Sequence, residues 1–229
     1  MKKIVQKIIG KIKKEPYTLD DRVSSSYLLR MFIERFFMIL RGFLSGVKNE
    51  GLLFIGKRTI IKSKKLLRLG KGVTIGNNCY LDGLSEWGII LGNNVSIGRN
   101  TAIECTGNLK HLGKGIVVKD NVGLGTDAFY GCAGGIQIGS NTIVGNYVSF
   151  HSENHNIDDL LTPIRLQGVN HLGINIGENC WIGAKVTILD GVNLGDGCVV
   201  AAGAVLKAGD YISNGIYGGV PARLLKMRT

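Results

Sequence analysis

Branched apolar residues recur every six positions through most of the chain, and this period limits the folds open to it. The longest run is Ile176, Ile182, Ile188, Leu194, Val200 and Leu206. Shorter runs with the same step are Leu69, Ile75, Leu81; Leu91, Ile97, Ile103; Val118, Leu124; and Ile138, Val144, Phe150. A period of six matches neither the helical repeat of about 3.6 residues nor the alternation of a flat strand. The sequence therefore predicts a repeating corner with a short strand between successive corners.

Two more positions of the hexapeptide are constrained. The residue after the apolar one is commonly Gly. The fourth residue after the apolar one is small or β-branched, as at Cys79, Thr142, Cys180, Cys198 and Ala204. Three hexapeptides would close one triangular coil, with parallel strands stacked about 4.8 Å apart and both residue types facing a narrow interior. We expect an all-β fold, in which the cysteines of the small-residue slot are inert packing residues.

Composition and charge exclude several classes of protein. The 229 residues include 34 Gly and are 45% hydrophobic and 20% charged, which is too apolar for disorder and too rich in Gly for a helix bundle. Residues 1–70 hold 17 Lys/Arg and 5 Asp/Glu, whereas residues 71–229 hold 11 and 12. Because the basic excess is confined to the amino-terminal part, we expect no nucleic acid binding by the body of the protein.

Cysteine usage and the apolar stretches predict a cytoplasmic location. The five cysteines are odd in number and contain no C-x-x-C pair, so neither a disulfide framework nor a thiolate zinc site is indicated, and no metal site is predicted. Lys7 and Lys11 interrupt the first apolar stretch, so no export signal is expected. Residues 27–44 carry Arg30, Glu34, Arg35 and Arg41, too many charges for a spanning helix.

Residues 1–50 are interpreted as a basic amphipathic helical segment, and residues 51–229 as the β-helix with a protruding loop at 151–174 and a short carboxyl-terminal tail. In residues 1–14, isoleucines fall at helical spacing with lysines on the remaining face, which favours peripheral contact with an anionic membrane, such as the inner face of the plasma membrane. A second helix follows Pro16, and it either contacts membrane or packs on protein.

The period fails between Phe150 and Ile174, and the polar insertion there is the predicted functional loop. It holds three of the four histidines, His151, His155 and His171. Histidine has an unperturbed pKa of about 6.5, which suits a general base near neutral pH.

The repeat from Leu69 to Leu206 resembles that of the hexapeptide-repeat acyltransferases, whose fold is a left-handed parallel β-helix. Within that family, N-H-N at 154–156, P-I-x-x-Q at 163–167 and I-G-x-x-C-W-I-G at 176–183 resemble the sugar and polysaccharide O-acetyltransferases, similar to the galactoside and maltose acetyltransferases. The resemblance implies acetyl-CoA-dependent acetylation of a sugar hydroxyl, in capsule, O-antigen or exopolysaccharide synthesis. It puts the catalytic histidine on His155, with His151 second, although the family's His-Pro dipeptide is absent because Asn156 follows His155.

The resemblance also implies a coenzyme A site and a homotrimer. The pantetheine arm would lie along small residues near Trp181, namely Gly183, Ala184, Ala202 and Gly203, and its phosphates would meet Lys207, Arg223 and Lys226.

Three alternatives stay open at this stage. A zinc carbonic-anhydrase-like β-helix would use His111, His151 and His155 at a subunit boundary. A serine or nucleotide-sugar acetyltransferase would keep the donor and change the acceptor. A non-catalytic β-helix would serve as a binding module.

Overall fold

The computed structural model describes residues 5–6 and 18–229, so most of the predicted first helix, residues 1–14, lies outside the described residues. Helix α1 spans Ser25–Leu44. Ser24 caps it, because its Oγ accepts a hydrogen bond from the Tyr27 backbone N–H at 3.1 Å. Within the described ranges, no helix combines the length and apolar character needed to cross a bilayer.

The strands are short and follow one another through the rest of the chain. Those before the loop are β1 (Phe54–Ile55), β2 (Ile60–Lys62), β3 (Leu67–Leu69), β4 (Thr74–Ile75), β5 (Tyr80–Asp82), β6 (Ile89–Leu91), β7 (Ser96–Ile97), β8 (Ala102–Glu104), β9 (Ile116–Val118), β10 (Gly123–Leu124), β11 (Phe129–Gly131), β12 (Ile136–Ile138), β13 (Ile143–Val144) and β14 (Ser149–His151). The loop contains β15 (Asn154–His155) and β16 (Val169–Asn170). After it come β17 (Ile174–Ile176), β18 (Trp181–Ile182), β19 (Thr187–Leu189), β20 (Val192–Leu194), β21 (Val199–Val200), β22 (Val205–Leu206), β23 (Gly209–Tyr211), β24 (Gly215–Gly218) and β25 (Arg223–Met227). Single 3-10 turns lie at Lys64–Leu66 and Ile164–Leu166.

Every third strand joins the same parallel sheet, so the chain winds around three faces. Sheet 1 has the order β1-β4-β7-β10-β13-β18-β21-β24, with β25 added antiparallel at its end. Sheet 2 has the order β2-β5-β8-β11-β14-β19-β22, and sheet 3 the order β3-β6-β9-β12-β17-β20-β23. The fold is the predicted left-handed parallel β-helix, and residues 18–229 complete seven coils of it.

The interior confirms the register that the hexapeptides predict. Ile75, Leu81, Ile97 and Ile103 are buried, as are the small-slot residues Cys79, Thr101, Thr142, Val186 and Ala204. The structure also contains a first coil that the repeat from Leu69 did not include. There Ile55, Ile61 and Leu67 continue the step of six, and Ile55 and Leu67 are buried in the same core.

Asparagine occupies many corners, because it tolerates the left-handed backbone there better than most residues do. Asn78 and Asn100 have φ of 56° and 57°. Their side chains also join neighbouring coils: Asn78 Nδ2 donates to Asn100 Oδ1 at 3.0 Å, and Asn100 Nδ2 donates to Asp127 Oδ1 at 2.7 Å. The corners therefore stack as hydrogen-bonded ladders.

The five cysteines are free and buried, and burial raises the pKa of the Cys180 thiol to about 11. Since thiolate is the reactive form, we expect iodoacetamide at neutral pH to leave the folded protein unlabelled and to label all five thiols in guanidinium chloride. Intact-mass spectrometry of the two samples measures this. A folded-state thiol that reacts as fast as a peptide thiol would place that cysteine outside the core.

Candidate active site

One column of outward-facing positions on sheet 2 carries polar side chains from neighbouring coils. Glu104, Gly131 and His151 end β8, β11 and β14 and stand side by side in the ladder, with Leu189 of β19 on the next rung. Glu104 and His151 each follow a buried core residue, so their side chains point outward. His151 lies two steps along the ladder from Glu104, which corresponds to about 10 Å between their Cα atoms.

Gly131 leaves an opening between Glu104 and His151, because the rung that separates them carries no side chain. A Cβ at this position would lie 3.0 Å from Phe129 Cε1 and 3.3 Å from the Phe150 carbonyl oxygen, so any larger residue would crowd the opening. A cavity of about 170 Å³ fills it, lined by Glu104, Gly107, Phe129, Gly131, Ala133, His151, Ser152 and Glu153. An imidazole, two carboxylates and an aromatic ring therefore line the same cavity.

His151 stands at the end of a strand that is tightly held. Its ring lies beside the Phe129 ring, with centroids 5.7 Å apart and planes tilted by 37°. The next residue, Ser152, is buried; its Oγ donates to the Gly131 carbonyl oxygen at 2.7 Å and accepts from the Gly134 backbone N–H at 2.9 Å. These bonds fix the backbone on which His151 is carried.

The loop that interrupts the repeat forms a hairpin, and the other two candidate histidines lie on it. His155 in β15 pairs with Val169 in the antiparallel strand β16 and is exposed. His171 is also exposed. Neither lines the cavity. The cavity lining therefore includes His151 but not His155, the residue that the sequence ranks first.

Asp190, a buried carboxylate, ties both ends of this loop to the β-helix. It accepts hydrogen bonds from the Gly173 N–H at 2.7 Å, the Leu172 N–H at 2.9 Å and Asn154 Nδ2 at 3.2 Å. Asn154 precedes His155, and Leu172 and Gly173 lead back into β17. One side chain thus sets where the hairpin leaves the body.

The predicted coenzyme A residues fall into separate places along the last coils. Ala184, Ala202 and Gly203 stack at the corner between sheets 1 and 2, where the Gly203 N–H donates to the Ala184 carbonyl oxygen at 2.9 Å. A Cβ at Gly183 would lie 2.6 Å from the Ala202 nitrogen, so the backbones approach closely there. Trp181 faces outward from sheet 1 and is exposed.

The three predicted phosphate contacts all lie on the last coil or its tail and are exposed. Lys207 follows β22 and comes next after Leu189 in the His151 column, since Ile188 pairs with Leu206. Arg223 and Lys226 lie on β25, opposite Gly218 and Ile216. Lys207 is thus two rungs from His151 at the ends of the sheet 2 strands. The small residues Ala184, Ala202 and Gly203 instead lie at the corner where these strands begin.

His111 lies in the excursion between β8 and β9, bridged to Asn108, and does not line the cavity with His151. In the part of the chain that the structure describes, no three His, Cys, Asp or Glu side chains are grouped so that they could hold a metal ion.

Sequence reasoning missed Glu104, Phe129, Gly131 and Asp190 as site residues. A usable signal exists for two of them. Aligning the coils by the apolar residues Ile103, Tyr130 and Phe150 puts Glu104, Gly131 and His151 in one column on the sequence alone. Asp190 gives no such signal, because its partners lie in a loop outside the repeat.

Comparison with known proteins supports the same fold. Residues 66–105 and 173–208 match the family profile described as the hexapeptide repeat of succinyl-transferase. The Mycobacterium tuberculosis protein Rv3034c, named a probable acetyltransferase, is 32% identical over 171 residues. That alignment covers 73% of this chain and 52% of the relative, so the chain spans about half the length of the curated relative it matches.

Solved structures of the N-acyltransferase AntD from Bacillus cereus share the fold. A mutant in complex with dTDP-4-amino-4,6-dideoxyglucose and coenzyme A has a TM-score of 0.56 at 19% identity, over 83% of this chain and 89% of that one. A complex with dTDP and 3-hydroxybutyryl-CoA has a TM-score of 0.52 at 20% identity, over 83% and 88%. The repeat, the three-sided coil and the profile match together show that the chain is a hexapeptide-repeat β-helix protein, similar to acetyltransferases that carry this repeat.

Proposed function

We propose that the protein is an O-acetyltransferase that moves an acetyl group from acetyl-CoA to a sugar hydroxyl, in the synthesis of a cell-surface polysaccharide. The observation that carries the proposal is the cavity between Glu104 and His151, which offers a base at the end of a rigid strand beside an opening. The names of the relatives support acetyl-CoA as the donor, because AntD binds coenzyme A and Rv3034c is described as a probable acetyltransferase.

In the proposed mechanism His151 acts as general base. Its imidazole takes the proton from the acceptor hydroxyl as that oxygen attacks the thioester carbonyl carbon. A C–O bond forms, the C–S bond then breaks, and the imidazolium returns the proton to the departing sulfur. No covalent enzyme intermediate is needed. Backbone N–H groups near the coil corners would stabilise the developing oxyanion.

The cavity chemistry suits a saccharide acceptor. Glu104 and Glu153 supply carboxylate oxygens, which accept hydrogen bonds from hydroxyl groups. The Phe129 ring offers an apolar surface for the C–H face of a sugar ring. The same two carboxylates also suit an amino sugar, which makes N-acyl transfer to a sugar amine the second candidate.

An acceptor panel separates these possibilities. The purified protein is incubated with acetyl-CoA and neutral sugars, amino sugars, serine or nucleotide-linked amino sugars, and thiol release is followed. We expect release with hydroxyl acceptors, with the acetyl position assigned by NMR of the product. Release only with amines would favour N-acyl transfer, and failure to bind coenzyme A at all would favour a non-catalytic binding module.

We propose further that the enzyme works as a homotrimer in the cytoplasm, where five free thiols are stable. The hairpin loop supports the trimer, because Leu160 and Leu161 are each 95% exposed and Ile157, Ile164 and Leu172 are also exposed. Apolar side chains on a projecting loop need cover, and a neighbouring chain supplies it by cyclic closure.

Replacing Lys207, Arg223 and Lys226 together with Ala is expected to raise the KM for acetyl-CoA about tenfold, because charge-assisted bonds to phosphate contribute mainly to donor binding. The acceptor KM should change little. The matched control replaces Lys57, Lys65 and Arg68, three exposed basic residues of the first coil. Steady-state kinetics with each substrate varied measures both constants, and equal donor KM values in the two triple variants would show that the phosphates bind elsewhere.

A further inference from the structure

Helix α1 has two apolar faces, and the β-helix covers one of them. On the covered face Gly42 is buried and lies against the Leu53 carbonyl group. The opposite face, called here the outward face, consists of residues three or four positions apart that are between 42% and 85% exposed: Leu29, Ile33, Phe36, Phe37, Leu40, Phe43 and Leu44.

Polar contacts on the covered side hold α1 in this orientation. Arg41 Nε donates to the Ile55 carbonyl oxygen at 2.7 Å. The Arg35 guanidinium donates to Thr74 Oγ1 at 3.3 Å and lies 5.2 Å from the centroid of the Phe54 ring. Since these bonds anchor the helix through its inner side, the outward face is left available for a separate partner.

Charge indicates which partner fits. The described part of the segment that contains α1, residues 18–70, has 11 basic and 4 acidic residues, whereas residues 71–229 have 11 and 12. The polar edge of α1 itself carries Arg30 and Arg41 against Glu34. Covering the outward face with a second copy would bring two such segments together and concentrate like charge, whereas an anionic surface would neutralise it.

The hairpin loop differs from the segment that contains α1 in the sign of its charge. It is also rich in exposed apolar residues, but residues 152–173 contain Glu153, Asp158 and Asp159 against Arg165, so an anionic surface would repel the loop and attract the segment that contains α1. A large apolar patch on a basic segment has the pattern of an interfacial helix. We propose that the outward face of α1 lies on an anionic lipid surface, with its phenylalanines at the boundary between headgroups and acyl chains.

The test is co-sedimentation of the full-length protein with vesicles of phosphatidylcholine mixed with phosphatidylglycerol, and with vesicles of phosphatidylcholine alone. We expect binding to the mixed vesicles only, weakened by added salt, because screening acts over about 10 Å at 0.1 M. The double variant Phe36→Ser, Phe43→Ser should bind at least about tenfold more weakly, because two buried phenyl groups are lost. The control Leu109→Ser, Leu112→Ser removes two exposed apolar residues far along the chain from α1 and should bind as the parent does.

Two further measurements keep the proposal open to refutation. If the double variant folds poorly, Phe43→Trp should show a blue-shifted emission on addition of mixed vesicles, and no shift overturns the proposal. Sedimentation equilibrium gives the mass of the double variant without lipid. Unchanged vesicle binding of the double variant would show that lipid does not cover the outward face. A mass below that of the parent protein would show that a further copy of the chain covers it instead.

Discussion

Replacing His151 with Asn is expected to lower kcat by about 10²–10⁴-fold, because the variant keeps most of the polar shape of the side chain and loses the group that accepts the hydroxyl proton. The KM values for donor and acceptor should change much less, since neither substrate depends on this proton transfer for binding. Initial rates of thiol release, with each substrate varied in turn, measure the three constants.

His155→Asn and His171→Asn are the matched controls, because both histidines are exposed, belong to the interrupting loop and lie outside the cavity lining. We expect each to retain kcat within a few-fold of the parent. The opposite result, an inactive His155→Asn beside an active His151→Asn, would support the residue that the family resemblance ranks first and would separate the cavity from the reaction.

Asp190→Ala is expected to lower kcat by about 10²-fold, because small displacements of a positioned group have effects of this order. The substitution leaves the Leu172 and Gly173 N–H groups and the Asn154 amide without their shared acceptor. An unsatisfied buried polar group costs about 1–3 kcal/mol, so the hairpin should leave its place on the last coils. Glu153, which follows the His151 strand and lines the cavity, and the neighbouring loop residues would lose their positions with it.

Asp190→Asn separates positioning from a general loss of stability. It keeps one carbonyl oxygen for the loop donors, so its kcat should lie between those of the parent and the Ala variant. The donor KM should stay within about twofold in both variants, since the predicted phosphate contacts lie outside the loop. Equal kcat for parent and Ala variant, measured well below their unfolding temperatures, would reduce Asp190 to a structural residue.

The β-helix could be predicted because its determinants are local in sequence. Each coil repeats the same requirement, an inward branched residue and an inward small residue four positions later, so Ile182 and Val186 carry the same information as Ile75 and Cys79. Errors of register would place charged residues in a narrow core, so only one register is tolerated. The run of repeats was recognised only from Leu69, inside the predicted β-helix of residues 51–229, because Ile55, Ile61 and Leu67 have few of the accompanying glycines.

Aligning the coils gives the column from the sequence, but the cavity beside it needed the tertiary structure, because its lining comes from several coils and the start of the loop. Glu104, Gly131 and His151 are separated by 27 and 20 positions in the chain, and the excursions before and after β11 vary the step between rungs. The sequence identified a loop that contains histidines, but it could not distinguish a strand end from a hairpin stem, and this difference separates His151 from His155.

The two faces of α1 also show which features follow from the sequence and which depend on the tertiary structure. The sequence alone predicted a second helix after Pro16, and charge counting located the basic excess in the first 70 residues. Only the packing of Gly42 on the β-helix decided which apolar face is covered and which is left exposed. Periodic patterns are fixed by nearest neighbours along the chain, whereas the opening beside Gly131 and the bonds to Asp190 depend on contacts between segments that the sequence places far apart.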